Sequence, residues 1–180
     1  GIETNKISPA WIEKSFLMDK IITISKHAKD GFVNTECGFK NQQTGEEGLV
    51  KCEKPVIVVG YPVKNFKKTK LSLDLDYDFN YLAVAQWGPR KNVKNTIKWF
   101  VEEFHDDEVG LVVKMFQMKN CHMDKLNCMT KLKDLLHEYP DRKCKVHLIH
   151  GNMTDEEMNA LYTHPKLKAF ASLTHGEGYG

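Results

Sequence analysis

The sequence predicts an α/β fold in which a parallel sheet carries helices on both faces. Two observations indicate this class. From about residue 80 onward, short apolar runs alternate with amphipathic stretches of helical period, as in strand–helix–strand units. The hydrophobic share of 41% and the charged share of 28% are ordinary for a globular chain with a sizeable core. No apolar run approaches the ~18 residues that would span a bilayer, so we expect no transmembrane segment.

Residues 1–54 form a first segment with a less regular pattern. Its predicted elements are a helix beginning at Pro9, a strand at 20–24 and a helix that ends at Phe32. Pro9 is typical of a first helical turn, and Ser25 is placed to cap the second helix. Residues 35–54 are polar, and we interpret them as a loop. The β-branched run that follows predicts a strand, which begins a second segment, 55–180.

Strands and helices alternate regularly in the second segment. The predicted strands are 81–85, 109–116, 145–149 and 168–173. Amphipathic helices lie between them, and Thr154 followed by Glu157 has the residue order of a capping box at the start of the third helix. Because helical crossovers of this length join parallel strands, the pattern predicts a partial Rossmann-like domain.

Two loops of this domain carry the candidate binding residues. Ligands of open parallel sheets lie beyond the carboxyl ends of the strands, where the strand order reverses, and in the usual order that point lies between the first and fourth strands. The loop after the first strand contains Arg90 and Lys91, and the loop after the fourth, 174–180, is rich in glycine. Two cations beside a glycine-rich turn favour a diphosphate-bearing ligand. The alternative, that Arg90 and Lys91 are solvated loop charges, stays open.

Three other patterns in the sequence are weaker indications of a binding site than these two loops. Asp74, Asp76 and Asp78 have the D-x-D spacing of a metal-binding motif, but they alternate with apolar residues, as in a half-exposed extended segment. Metal ligands could also be sought among Cys121, His122, Cys128, His137, Cys144, His147 and His150. Their spacing matches no familiar zinc site, so we expect no bound metal. The basic run at 64–70 is interpreted as a connection, since a net charge of +2 gives no support for a nucleic-acid partner.

The five cysteines lack C-x-x-C spacing. Reduced thiols in a cytoplasmic protein are the simplest interpretation of such a set.

Three motifs together resemble a known family. They are FNYLAVAQWGPRKN at 79–92, His150-Gly151 followed by Thr154-Asp155-Glu156-Glu157, and HGEGYG at 175–180. In this order on an alternating pattern, they resemble group 1 retaining glycosyltransferases of the GT-B fold. Residues 3–25 resemble the end of that family's acceptor-side domain. The resemblance therefore implies that 1–54 end the N-terminal, acceptor-side domain and connect it to a partial nucleotide-sugar-binding domain at 55–180.

The resemblance also implies roles for single residues. Lys91 with Arg90 would hold the donor's diphosphate, and Glu177, as the first carboxylate of an E-x7-E motif, would face the donor sugar as the catalytic residue. Thr174, His175 and Gly176 would approach the phosphates or the sugar through backbone groups, and His150 with Gly151 would lie near the nucleotide base. Such enzymes transfer a sugar from a nucleotide-sugar to a sugar, lipid or protein acceptor with retention of configuration, without a cofactor or metal. We expect a cytoplasmic location, with peripheral membrane attachment as an alternative.

The chain departs from the family pattern in two ways. Gln86 stands where many members have arginine, and the second carboxylate of the E-x7-E motif would fall at position 185, beyond Gly180. We therefore expect an internal fragment that is inactive as a transferase by itself. Two alternatives remain open: another GT-B-like enzyme, such as a nucleotide-sugar epimerase or a phosphorylase, and a non-catalytic Rossmann-like interaction module.

Overall fold

The computed structural model describes residue 2, residues 4–67 and residues 69–176. Contacts divide the described residues into two compact units, one of the residues up to 64 together with Gly176 and one of the residues 65–175. None of the helices in these described ranges combines the length and the apolar character needed to cross a bilayer.

The first unit contains short elements. They are α1 (Pro9–Ser15), β1 (Ile21–Thr23), α2 (Lys26–Asn34), β2 (Glu36–Lys40), β3 (Glu47–Lys51) and β4 (Val56–Val58). The Ser25 hydroxyl accepts a hydrogen bond from the Ala28 backbone N–H at 3.1 Å, which confirms the predicted cap of α2. β4, grouped with the second segment from the sequence pattern, pairs in parallel with β1. The assignment of residues 1–54 to an acceptor-side domain stays a prediction.

The loop predicted at 35–54 is wrong. These residues form an antiparallel hairpin of β2 and β3. Its turn is closed by the Asn41 side chain, which accepts from the Gln43 backbone N–H at 2.9 Å, and by Gly45 at φ +73°. Most residues of both strands are exposed, so the hairpin lacks the apolar alternation by which a half-buried strand is recognised.

The second unit has the predicted alternation of strands and helices. Its elements are β5 (Asn80–Gln86), α3 (Val93–Glu103), β6 (Gly110–Phe116), α4 (His122–His137), β7 (Lys145–Ile149), α5 (Asp155–Tyr162) and β8 (Leu167–Phe170). The four strands are parallel in the order β7-β6-β5-β8. This confirms the predicted Rossmann-like α/β class and places the first and fourth strands of the sheet side by side.

Both faces of this sheet are covered. Leu111, Val113 and Met115 of β6 are fully buried in one core with residues of α3 and α4. Val112 points the other way and packs in a second core with Leu161 of α5. The helices on both faces that the sequence predicted are therefore present.

The segment before β5 alternates as predicted. Leu71, Leu73 and Leu75 belong to the core on the α5 face, whereas the aspartates between and after them are exposed. This period of two accounts for the D-x-D spacing without a metal.

Candidate functional site

The loops that follow β5 and β8 are joined by hydrogen bonds. The Arg90 carbonyl accepts from the His175 backbone N–H at 2.9 Å and from the Thr174 hydroxyl at 3.0 Å. The Asn92 side-chain amide donates to the Leu173 carbonyl at 3.0 Å. Asn92 adopts φ +51° just before α3, in the left-handed region that asparagine tolerates better than most residues. The described parts of the two loops that the sequence predicted to converge therefore meet.

A cavity of about 360 Å³ opens at the carboxyl ends of β5 and β6. Its lining includes Lys91, Lys114, Asn120, Gly151, Asn152 and Met158. Lys91 and Gly151, which were singled out from different motifs of the sequence, therefore line the same cavity. The cavity lies beyond the strand ends, as ligand sites of open parallel sheets do, but at the first and second strands of the sheet and not between the first and fourth, where the sequence predicted the site.

The other predicted residues lie in different places. Arg90, Thr174 and His175 form the loop junction described above. Gly176 is grouped by contacts with the first compact unit. Glu177 lies outside the described residues, and its role at the donor sugar stays a prediction.

The His150 ring is buried against a carboxylate. Its Nε2 lies 3.0 Å from Asp124 Oδ2, and the two side chains are 2% and 4% exposed. The same carboxylate accepts from the backbone N–H groups of Gln117 and Met118, each at 3.1 Å. Through Asp124, His150 therefore connects the loop after β7 to the loop after β6. The residue that lines the cavity is the next one, Gly151.

Hydrogen bonding sets the ionisation of this carboxylate. Burial alone would raise the pKa of Asp124, but the hydrogen bonds from His150, Gln117 and Met118 outweigh it and hold the pKa below its usual value. Cys128 lies beside the pair, and burial raises the pKa of its thiol. Across the described part of the chain, these are the residues whose possible ligand atoms lie close enough for a metal, within 4.8 Å of one another. Three donors already occupy the carboxylate, so hydrogen bonding accounts for the cluster.

Lys114 is a cavity residue that the sequence analysis missed. It belongs to β6, is 8% exposed, and its ammonium donates to the Gly151 carbonyl at 2.6 Å. Burial lowers the pKa of this ammonium. A single lysine inside an otherwise apolar strand was the available signal, because lysine is almost never fully buried without a partner.

Two asparagines complete the polar part of the cavity. Asn120 lies in the left-handed region at φ +43°, and its amide nitrogen donates to Asn152 Oδ1 at 2.9 Å. Asn120 Oδ1 is buried and has no hydrogen-bond partner among the described residues. Unpaired polar atoms and left-handed non-glycine residues both occur preferentially at functional sites.

Gln86 stands at the position where the family pattern predicts an arginine. The Gln86 amide donates to the Gln117 carbonyl at 2.9 Å, and Gln86 lies at the edge of the cavity. Lys91 and Lys114 are therefore the cationic residues of this cavity's lining.

Replacing Lys114 with methionine is expected to change how stability depends on pH. A lowered pKa in the folded state means that the folded chain releases this proton at lower pH than the unfolded chain, whose lysine titrates near 10.5. Wild-type stability therefore rises, relative to the variant, as the pH increases from the lowered pKa toward 10.5. Urea unfolding of both proteins at pH 7 and pH 10 measures this difference. A stability difference between wild type and variant that stays constant from pH 7 to pH 10 would contradict the prediction.

Comparison of the chain with known protein families and with curated proteins finds no significant match.

Proposed function

We propose that the second unit binds the diphosphate of a nucleotide-sugar and forms the donor side of a retaining glycosyltransferase. The observation that carries this proposal is the cavity at the carboxyl ends of β5 and β6, which is lined by the two cationic residues Lys91 and Lys114. Its volume of about 360 Å³ falls within the range of small-molecule sites, and apolar residues such as Val84 and Met158 complete its lining. A ligand with an anionic part and a less polar part suits such a cavity.

The proposed role of the lysines depends on where negative charge develops during sugar transfer. When the glycosidic bond of a nucleotide-sugar breaks, negative charge grows on the departing diphosphate, and fixed cations stabilise that charge. In the proposed site Lys91 supplies one such cation. Glu177 would face the sugar, and the acceptor would be a sugar, a lipid or a protein. The lysine cations would neutralise the negative charge of the diphosphate, which a divalent metal ion neutralises in other transferases.

The sequence left a non-catalytic interaction module open as an alternative. Such a module needs neither a cavity at the strand ends nor lysines directed at a common volume. The shared lining by Lys91, Lys114 and Gly151 favours a ligand site instead.

Lys91→Ala is expected to weaken the binding of a nucleoside diphosphate by at least tenfold, which corresponds to ~1.4 kcal/mol. The physical reason is the loss of a cation beside the phosphate oxygens. The measurement is isothermal titration of the 180-residue chain with uridine, guanosine and adenosine diphosphates, after a thermal-shift screen identifies the one that raises the melting temperature.

Lys94→Ala is the matched control, since Lys94 is an exposed lysine that does not line this cavity. We expect it to bind as the wild type does. The proposal fails if no nucleoside diphosphate raises the melting temperature, or if Lys91→Ala binds as tightly as Lys94→Ala.

A further inference from the structure

We infer that Lys114 forms an anion-binding position within the cavity, which takes a phosphate group of the ligand separately from Lys91. The inference extends the proposed function, because it names a second cation that nothing in the motifs indicates. Its sharpest consequence is that the chain binds inorganic pyrophosphate, without any nucleoside, in a manner that depends on Lys114.

Lys114 places a positive charge in the interior of the sheet. An ammonium group is costly to bury, and Lys114 is 8% exposed in the middle of the sheet. No carboxylate of the described residues lies within ion-pair distance of it, and its ammonium donates to the neutral Gly151 carbonyl at 2.6 Å. One of its three donors is thereby used. Within the described part of the chain, the charge of Lys114 therefore has no counter-charge.

A second observation concerns what could compensate this charge. The lining of the cavity holds another cation, Lys91, and neutral groups from Gln86, Asn120 and Asn152. A neutral carbonyl ligand would satisfy a donor of Lys114 but would leave the charge of its ammonium group uncompensated. An anion with several acceptor oxygens satisfies donors and charge together, and phosphate is such a group.

A third observation indicates what accompanies the anion. Asn120 Oδ1 is buried and lacks a donor among the described residues, although its amide nitrogen is paired with Asn152. Because Asn120 lines the cavity, rotation of its amide would present this acceptor to a ligand that also carries a hydroxyl or an N–H group. A phosphate ester with adjacent hydroxyl groups, as in a sugar phosphate, presents both.

The experiment uses pyrophosphate as the probe. Isothermal titration is performed on the wild type, on Lys114→Met and Lys114→Gln, and on Lys145→Met, a matched control because Lys145 is an exposed lysine of the neighbouring strand β7. We expect the wild type and Lys145→Met to bind pyrophosphate equally, and both Lys114 variants to bind it at least tenfold more weakly. Failure of the wild type to bind pyrophosphate, or unchanged binding by the Lys114 variants, would overturn the inference.

A second measurement needs no variant and decides the question if the substitutions impair folding. Lysine acylation of the wild type is followed residue by residue by peptide mass spectrometry, with and without pyrophosphate. We expect pyrophosphate to slow modification of Lys114 and to leave Lys145 unchanged; equal rates at Lys114 would overturn the inference.

The outcomes separate this inference from the proposed function. Normal pyrophosphate binding by Lys114→Met, together with loss of nucleoside diphosphate binding in Lys91→Ala, refutes the inference alone. Lys114-dependent pyrophosphate binding, with no gain in affinity when a nucleoside is attached, supports the inference and refutes the nucleotide-sugar proposal.

Discussion

Gly110→Ala is expected to lower the free energy of unfolding by about 2–4 kcal/mol, although it adds only one methyl group. Gly110 begins β6 directly opposite Asn80 of β5. A Cβ atom at Gly110 would overlap Asn80 Oδ1 and lie 2.9 Å from its Cγ. Asn80 is fully buried, so its side chain has no open space to enter.

The Asn80 side chain is also held by hydrogen bonds. Its amide nitrogen donates to the Tyr77 carbonyl at 2.7 Å and to the Lys166 carbonyl at 3.0 Å, which join the segment before β5 to the segment before β8. Displacing Asn80 would break these bonds and leave polar groups unpaired in the interior.

Gly88→Ala is the control for this prediction. No atom lies within 4 Å of a Cβ built at Gly88, and its φ is not positive, so the same substitution should change stability little. Urea unfolding of the two variants and the wild type gives the comparison. Equal stability of Gly110→Ala and Gly88→Ala would show that the sheet accommodates the added methyl group.

The strand order of the second unit could be predicted because its causes are local and repeated. Each strand is an apolar run, each crossover contains one amphipathic helix, and short right-handed crossovers leave few topologies for four parallel strands. Local hydrogen bonding confirms a helix start as well. The Thr154 hydroxyl accepts from the Glu157 N–H at 3.2 Å, and the Glu157 carboxylate accepts from the Thr154 N–H at 2.8 Å, as the capping-box order predicted.

The site could be predicted only in part, because its contacts join residues far apart in sequence. The meeting of the loops after β5 and β8 follows from topology, and so does the presence of Lys91 and Gly151 at the strand ends. The pairing of Asp124 with His150 has no pattern in the sequence, since nothing in the spacing of α4 and β7 indicates which side chains face each other. Lys114 was overlooked because the apolar residues on either side of it predict a buried strand, and one charged residue does not change that prediction.

Asp124→Ala is expected to lower the melting temperature by ~10 °C, because three donors would lose their acceptor at once. These donors are the backbone N–H groups of Gln117 and Met118 and the His150 ring nitrogen. Differential scanning calorimetry at neutral pH measures the loss. Asp134→Ala, which removes an exposed aspartate from the same helix α4, is the matched control and should change the melting temperature by a degree or two at most.

The pH dependence of the same variant gives a second measurement of the network. The pKa of Asp124 is lowered in the folded state, so its stabilising contribution is present above the unfolded carboxyl pKa of about 3.9 and is lost as the pH falls through the folded value. The difference between the wild type and Asp124→Ala should therefore shrink as the pH falls below about 3.9. Asp124 also fixes the loop that ends at Asn120, a residue of the cavity lining. If Asp124→Ala melts like Asp134→Ala and binds pyrophosphate like the wild type, the buried pair neither supports the fold nor positions the cavity wall.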